Sequence, residues 1–103
     1  MKRSKYRAIK ATVDNIKFDS KKEASRYQQL RLLEKAAQID NLELQPKYDL
    51  IVNGFKVGFY KADFRYIENG ILVVEDVKGM KTPMYNFKKK LIKAIYDIDI
   101  FET

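Results

Sequence analysis

A chain of 103 residues supports one domain with a modest core, and 46% hydrophobic with 13% aromatic residues excludes a disordered polymer. Cysteine and histidine are both absent, which rules out disulfides, thiolate metal sites, imidazole-ligated zinc and Ser-His chemistry. Catalysis would have to use carboxylates, lysines, tyrosines, hydroxyls or a hard cation held by oxygen, and the net charge of +7 favours an anionic partner, by default nucleic acid.

The opening MKRSKYRAIK carries Lys2, Arg3, Lys5, Arg7 and Lys10 around Tyr6. Residues 1–10 read as a basic arm of the kind that touches phosphates, and 11–103 as a single domain. The opening lacks the apolar stretch of a signal peptide, and no apolar run approaches the roughly 20 residues of a membrane span. A cytoplasmic protein with no membrane partner is expected.

Ala11 to Asp19 alternates loosely around Asp14-Asn15, as a short hairpin would. Ser20-Lys21-Lys22-Glu23 is a capping-box pattern that starts a helix. Ala24, Tyr27, Leu30, Leu33 and Ala37 supply its apolar stripe, with Glu23 at the edge of the buried face. Residues 41–52 and 55–67 read as strands joined at Asn53-Gly54, and 71–77 as a third strand after Asn69-Gly70. The apolar run ILVVEDV suits a central strand covered on both faces. Thr82-Pro83 caps a second helix whose apolar face is Met84, Phe87, Leu91 and Ile95, with Lys88, Lys89, Lys90 and Lys93 on its other sides. Residues 97–102 alternate again as a last strand. The order is helix, three antiparallel strands, helix, strand, with a hairpin in front, in one α/β domain.

The Asn69-Gly70 turn sets a register. If it is a two-residue tip, Glu68 faces Ile71 and the pairing runs back to place Asp63 opposite Asp76. Paired carboxylates in an apolar sheet repel and resist desolvation, and a divalent cation is the natural compensation. A three-residue turn with a bulge would shift this register by one. Asp76 and Lys78 share a side while Glu75 points to the other. An ammonium there can position water or stabilise charge on phosphate. Glu23, at the base of a helix that must pack on this sheet, could reach the same point, and such oxygen ligands suit Mg²⁺ or Mn²⁺. Each residue has an ordinary use as well. Glu23 can complete its capping box, Asp63 can pair with Arg65 or Lys61, and Asp76-Val77-Lys78 alone reads as a strand end with a surface ion pair. The convergence of the set is the sharper signal.

These residues, within the stretches KYRAIKATVDNIKFDSKKEASRY, LELQPKYDL, YKADFRYIENGILVVEDVKG and YNFKKKLIK, resemble the PD-(D/E)XK nuclease superfamily. More closely, the chain resembles its small phage-encoded members, long catalogued as a domain of unknown function, and its layout is also similar to archaeal Holliday-junction resolvases. The resemblance implies a restriction-endonuclease-like core (α-β-β-β-α-β) with a mixed central sheet flanked by helices. It implies Asp63 and Asp76 as metal ligands, Lys78 as the catalytic lysine, and Glu23 as the helix glutamate that binds or orients the metal. Gln45 and Lys88 follow as weaker DNA-binding candidates. Two departures from the pattern stand out: Ala62 where proline often precedes the first acid, and Asp76 in place of the commoner glutamate.

The implied activity is Mg²⁺-dependent hydrolysis of DNA in a phage-infected or lysogenic host, on branched or flapped replication or recombination intermediates. Cutting two strands of a junction would want two sites and hence a homodimer, for which Tyr48, Phe55, Phe59 and Tyr60 offer an interface that core packing explains equally well. The rival expectation is a non-catalytic DNA-binding accessory protein on a nuclease-like fold.

Overall fold

The computed structural model describes residues 10–78 and 81–103; residues 1–9 of the basic arm lie outside them. The chain opens with β1 (Ala11–Val13) and β2 (Ile16–Phe18), a hairpin whose turn residues Asp14 and Asn15 both take positive φ (53° and 62°). Helix α1 (Lys21–Lys35) follows, with the Ser20 hydroxyl accepting from the Glu23 N–H at 3.0 Å. The helix stops two residues short of Ala37, which sits in the turn beyond with φ 58°.

Each of the two long strands expected next is divided. Residues 41–52 become β3 (Asp40–Leu44) and β4 (Lys47–Val52); residues 55–67 become β5 (Phe55–Lys61) and β6 (Phe64–Glu68). The cause is local. Pro46 has no N–H to continue a ladder, and Gln45 before it takes φ 52°. The paired chain bends at the same level: Ala62 N–H donates to the Pro46 carbonyl and Gln45 N–H to the Asp63 carbonyl. Below the bend lies a four-stranded sheet in the order β3-β6-β7-β8, with β7 (Ile71–Asp76) antiparallel to β6 and parallel to β8 (Ile100–Glu102); above it β4 and β5 pair as a ribbon of their own. The last strand is shorter than expected because Asp97, in the left-handed region at φ 57°, caps the second helix, α2 (Pro83–Tyr96).

The mixed sheet carries one helix on each face. Ala24, Tyr27 and Leu30 of α1 pack with Phe64 and Tyr66, and Val73 and Val77 lie against them. Tyr85 and Ile92 of α2 pack with Val74, Ile100, Tyr60 and Leu50 on the opposite face. Both turns signalled by Asn-Gly form as expected, with positive φ at Asn53, Gly54, Asn69 and Gly70. Strand β7 is covered on both faces only toward its end: Val74, Glu75 and Asp76 are buried, while Ile71 and Leu72 at the tip are exposed.

The face of α2 differs from the expected one. Met84 and Phe87 are exposed; the buried positions are Tyr85 and Ile92, seven apart, with Leu91 and Ile95 half-buried beside them. Tyr85 wins the inward position because its ring packs on the core while its hydroxyl donates to Glu102 at 2.6 Å. The Thr82 cap is as expected, its hydroxyl accepting from the Tyr85 N–H at 3.1 Å. Neither described helix is long and apolar enough to cross a membrane.

Candidate active site

The β6–β7 ladder keeps the expected register, from Glu68↔Ile71 back to Phe64↔Glu75. Asp63 is the first residue past its end, where the strand bends away. Its N–H still donates to the Glu75 carbonyl at 3.2 Å, and its carboxylate replaces the strand that has left by accepting from the Val77 N–H at 2.7 Å. A residue that breaks a ladder and supplies a side-chain acceptor leaves no backbone donor stranded. The bend therefore fixes the Asp63 carboxyl directly beside Asp76.

Asp76 is 1% exposed. Its Oδ2 accepts from the Tyr60 hydroxyl and lies 3.4 Å from Lys78 Nζ. The ammonium of Lys78 also stands 4.2 Å from the centroid of the Tyr85 ring, a cation–π contact that fixes it above the acids. Burial, then the hydrogen bond and charge of Asp76, push the Asp63 carboxyl up to about 8; the Val77 N–H pulls it the other way. Asp63 thus keeps a proton where an ordinary aspartic acid has lost it. The Tyr60 and Tyr85 hydroxyls are also driven up, first by burial and then by the acids they contact, and stay protonated donors.

Glu23, on α1, lies within electrostatic reach of Asp76 and Lys78. It is 7% exposed, and its carboxyl is raised by burial, then by Asp19 and Asp76, while Lys78 lowers it. Only half of the capping box forms: the Ser20 hydroxyl takes the Glu23 N–H. Asp63 pairs with neither Arg65 nor Lys61, since Arg65 binds Glu43 and the Tyr48 hydroxyl. Asp63, Asp76 and Lys78 are therefore brought together, and Glu23 lies near enough for the charges of Asp76 and Lys78 to act on it. Gln45 lies behind Asp63, to which its backbone bonds, with its side chain exposed. Lys88 is not among the acids; its ammonium lies 5.3 Å from the centroid of the Phe59 ring.

Glu75, the neighbour of Asp76, faces the other way as strand parity requires. It is fully buried and receives Arg26 Nε at 2.6 Å and a second guanidinium nitrogen at 3.0 Å, the Tyr66 hydroxyl at 2.6 Å and the Thr103 hydroxyl at 3.1 Å. A bidentate, fully satisfied pair of this kind anchors the end of β7 to α1. On the other side Thr103 N–H donates to the Asp76 carbonyl and Lys78 N–H to the Thr103 carbonyl.

Among the described residues no three acidic side chains stand close enough to form a ready-made metal shell. The donor chemistry nonetheless fits a hard divalent cation. Two crowded carboxyl groups, one of them raised by burial and then by the hydrogen bond and charge of the other, offer oxygen ligands suited to such a cation. Tyr60 and Tyr85 are the residues that pattern reading missed. Tyr60 reads in the sequence only as an interface or packing aromatic, and Tyr85 lies off the expected stripe of Met84, Phe87, Leu91 and Ile95.

A family model described as a protein of unknown function, DUF1064, matches residues 3–100. No curated protein and no solved structure matches the chain.

Proposed function

Because the chain belongs to the DUF1064 family, whose function is unknown, its activity has to be read from its own side chains, and we propose that it is a metal-dependent DNA endonuclease on a restriction-endonuclease-like core. The observation that carries this reading is the Asp63–Asp76 carboxyl pair at the strand bend, with Lys78 held 3.4 Å from Asp76. The arrangement of a mixed sheet with one helix on each face supports it.

In this reading Asp63 and Asp76 hold Mg²⁺, or Mn²⁺ in its place, with Glu23 completing or orienting the site. The cation supplies positive charge at the scissile phosphate. Asp76 and the Tyr85 ring fix the Lys78 ammonium, which keeps N–H groups free to orient a water or to hold a phosphate oxygen as charge develops. The Tyr60 hydroxyl occupies one lone pair of Asp76 and so fixes that carboxylate's rotation. The Arg26–Glu75 pair positions β7 from behind without touching substrate.

The grip on DNA is narrower than the lysine count of α2 suggests. Lys81 and Lys89 are paired with Glu102, and Lys93 with Asp97 and Asp99, while Lys88 and Lys90 join no ion pair among the described residues. Branched or flapped DNA of a phage life cycle is the proposed substrate, and a homodimer the assembly that would cut both strands of a junction.

The test is cleavage of supercoiled plasmid, linear duplex and a synthetic four-way junction with Mg²⁺, Mn²⁺ or chelator. Wild type should cut only with metal, and Asp63→Ala and Lys78→Ala should each lose at least about a hundredfold in rate, the scale of removing one transition-state donor. No cleavage of any substrate, with DNA binding equal in all three proteins, would favour an accessory protein instead.

A further inference from the structure

The β4–β5 ribbon turns one face inward and one to solvent. Tyr48, Leu50 and Tyr60 are buried on the inner face. The outer face presents Lys47, Phe59 and Lys61, with Asp49 paired to Lys56 at its side. The homodimer interface suggested by Tyr48, Phe55, Phe59 and Tyr60 is thereby divided, since both tyrosines belong to the core and both phenylalanines face out.

Phe59 is 44% exposed, with Lys47 Nζ 4.7 Å and Lys88 Nζ 5.3 Å from its ring centroid. Lys47 and Lys61 are direct cross-strand partners. Like charges so placed repel, and neither lysine has an acidic partner among the described residues. An exposed ring flanked by uncompensated cations is complementary to a base with phosphates on either side of it.

The geometry points to the outer face of the β4–β5 ribbon as a binding platform for an unpaired DNA strand. One base stacks on Phe59, and Lys47, Lys61 and Lys88 hold the adjacent phosphates. A base entering on the ring displaces one ammonium onto the phosphate beside it. Phe59 precedes Asp63 by four residues, at most about 13 Å of strand, so a strand stacked there runs on toward the acid pair. That the platform feeds a cleavage site rests on the nuclease reading; that it binds single strands does not.

The experiment is fluorescence anisotropy with a labelled 12-nucleotide oligo(dT) and a duplex of equal length, in chelator, where no metal-dependent cutting occurs. Phe59→Ala should lower the ratio of single-strand to duplex affinity about tenfold, the effect of removing one base-stacking aromatic. Phe59→Leu, which keeps the apolar area, should fall with it, and Phe59→Tyr should restore the ratio. Lys47→Gln with Lys61→Gln should flatten the slope of log affinity against log salt for the single strand by about 1.4. An unchanged ratio in Phe59→Ala and Phe59→Leu overturns the platform. So does a wild-type dimer by sedimentation that Phe59→Ala converts to monomer with oligo(dT) affinity intact, because the face then belongs to a second copy. If the platform fails while Asp63→Ala still abolishes plasmid cleavage, the nuclease reading stands alone; if binding behaves as described and nothing is cut, the platform stands alone.

Discussion

Replacing Asp63 by Asn should make the metal-free protein more stable at alkaline pH, with only about a third of that effect at pH 5. The folded state holds the Asp63 proton up to about 8, whereas the unfolded chain releases it near the ordinary value of 3.8. Over that window the folded state binds more protons than the unfolded one, so stability falls as pH rises from about 4 to about 8. The full displacement corresponds to a ceiling of about 6 kcal/mol at pH 8. Asp63 is only partly buried, and screening by water and by Lys78 brings the expected loss to about 2 kcal/mol. The raised Glu23 adds a contribution of the same sign. Asn keeps an oxygen to accept from Val77 and gains an N–H to offer Asp76, so the substitution removes the charge and little else. Thermal melts followed by circular dichroism in chelator should show Asp63→Asn about 8 °C above wild type at pH 8, at roughly 4 °C per kcal/mol for a domain of this size. Mg²⁺ or Mn²⁺ should raise the wild-type Tm at pH 8 and leave the variant where it is. An equal offset at pH 5 and pH 8, or a variant less stable at pH 8, would refute the account of a carboxyl pair lacking its counter-charge.

The other expectations concern the supports of the site. Arg26→Met strands the fully buried Glu75 carboxylate and should cost about 3–5 kcal/mol in urea unfolding, most of it recovered by adding Glu75→Gln; a double variant no better than the single one would show that the pair is not coupled. Tyr60→Phe removes the hydroxyl that Asp76 accepts, with an expected loss of about 1.5–3 kcal/mol in the same assay and weaker Mn²⁺ binding by calorimetry; unchanged values on both counts would mean that the hydroxyl does not hold Asp76.

Much of the fold can be read from short-range rules because its turns are chemically explicit. Asn-Gly at 53–54 and 69–70, the Ser20 and Thr82 caps and Pro83 each leave the backbone one inexpensive conformation, and all form. The register that ends at Phe64↔Glu75, just beyond which Asp63 and Asp76 lie side by side, follows from the second of those turns. The bend at Pro46 and Ala62 could not be read in the same way, because alternation runs through it: Leu44, Pro46, Tyr48 and Leu50 keep one parity across two different sheets. Pro46 itself was the visible signal that a ladder could not continue. The orientation of α2 was hidden for another reason. Met84 and Phe87 are as apolar as any core residue, and only the contact of the Tyr85 hydroxyl with Glu102, a tertiary fact, decides which face turns in. The nearness of Asp63, Asp76 and Lys78 was legible from register and parity; the Tyr60 hydroxyl on Asp76 and the Tyr85 ring beside Lys78 were not, since an aromatic carries the same pattern whether or not a polar group meets it.

Glu75 and Asp76 are successive residues facing opposite ways, one tied to Arg26 and the other to Lys78. Loop tips are ordinarily where chains gain and lose residues at little harm, and Asn69-Gly70 is an exposed surface turn. An inserted residue absorbed there by sliding β7 would turn Glu75 toward Asp63 and Asp76 toward Arg26, exchanging the acid anchored to α1 for the one beside Lys78. If the acid pair is what selection preserves, length at that tip is constrained with it, and a relative with an altered turn should carry its second acid one position away.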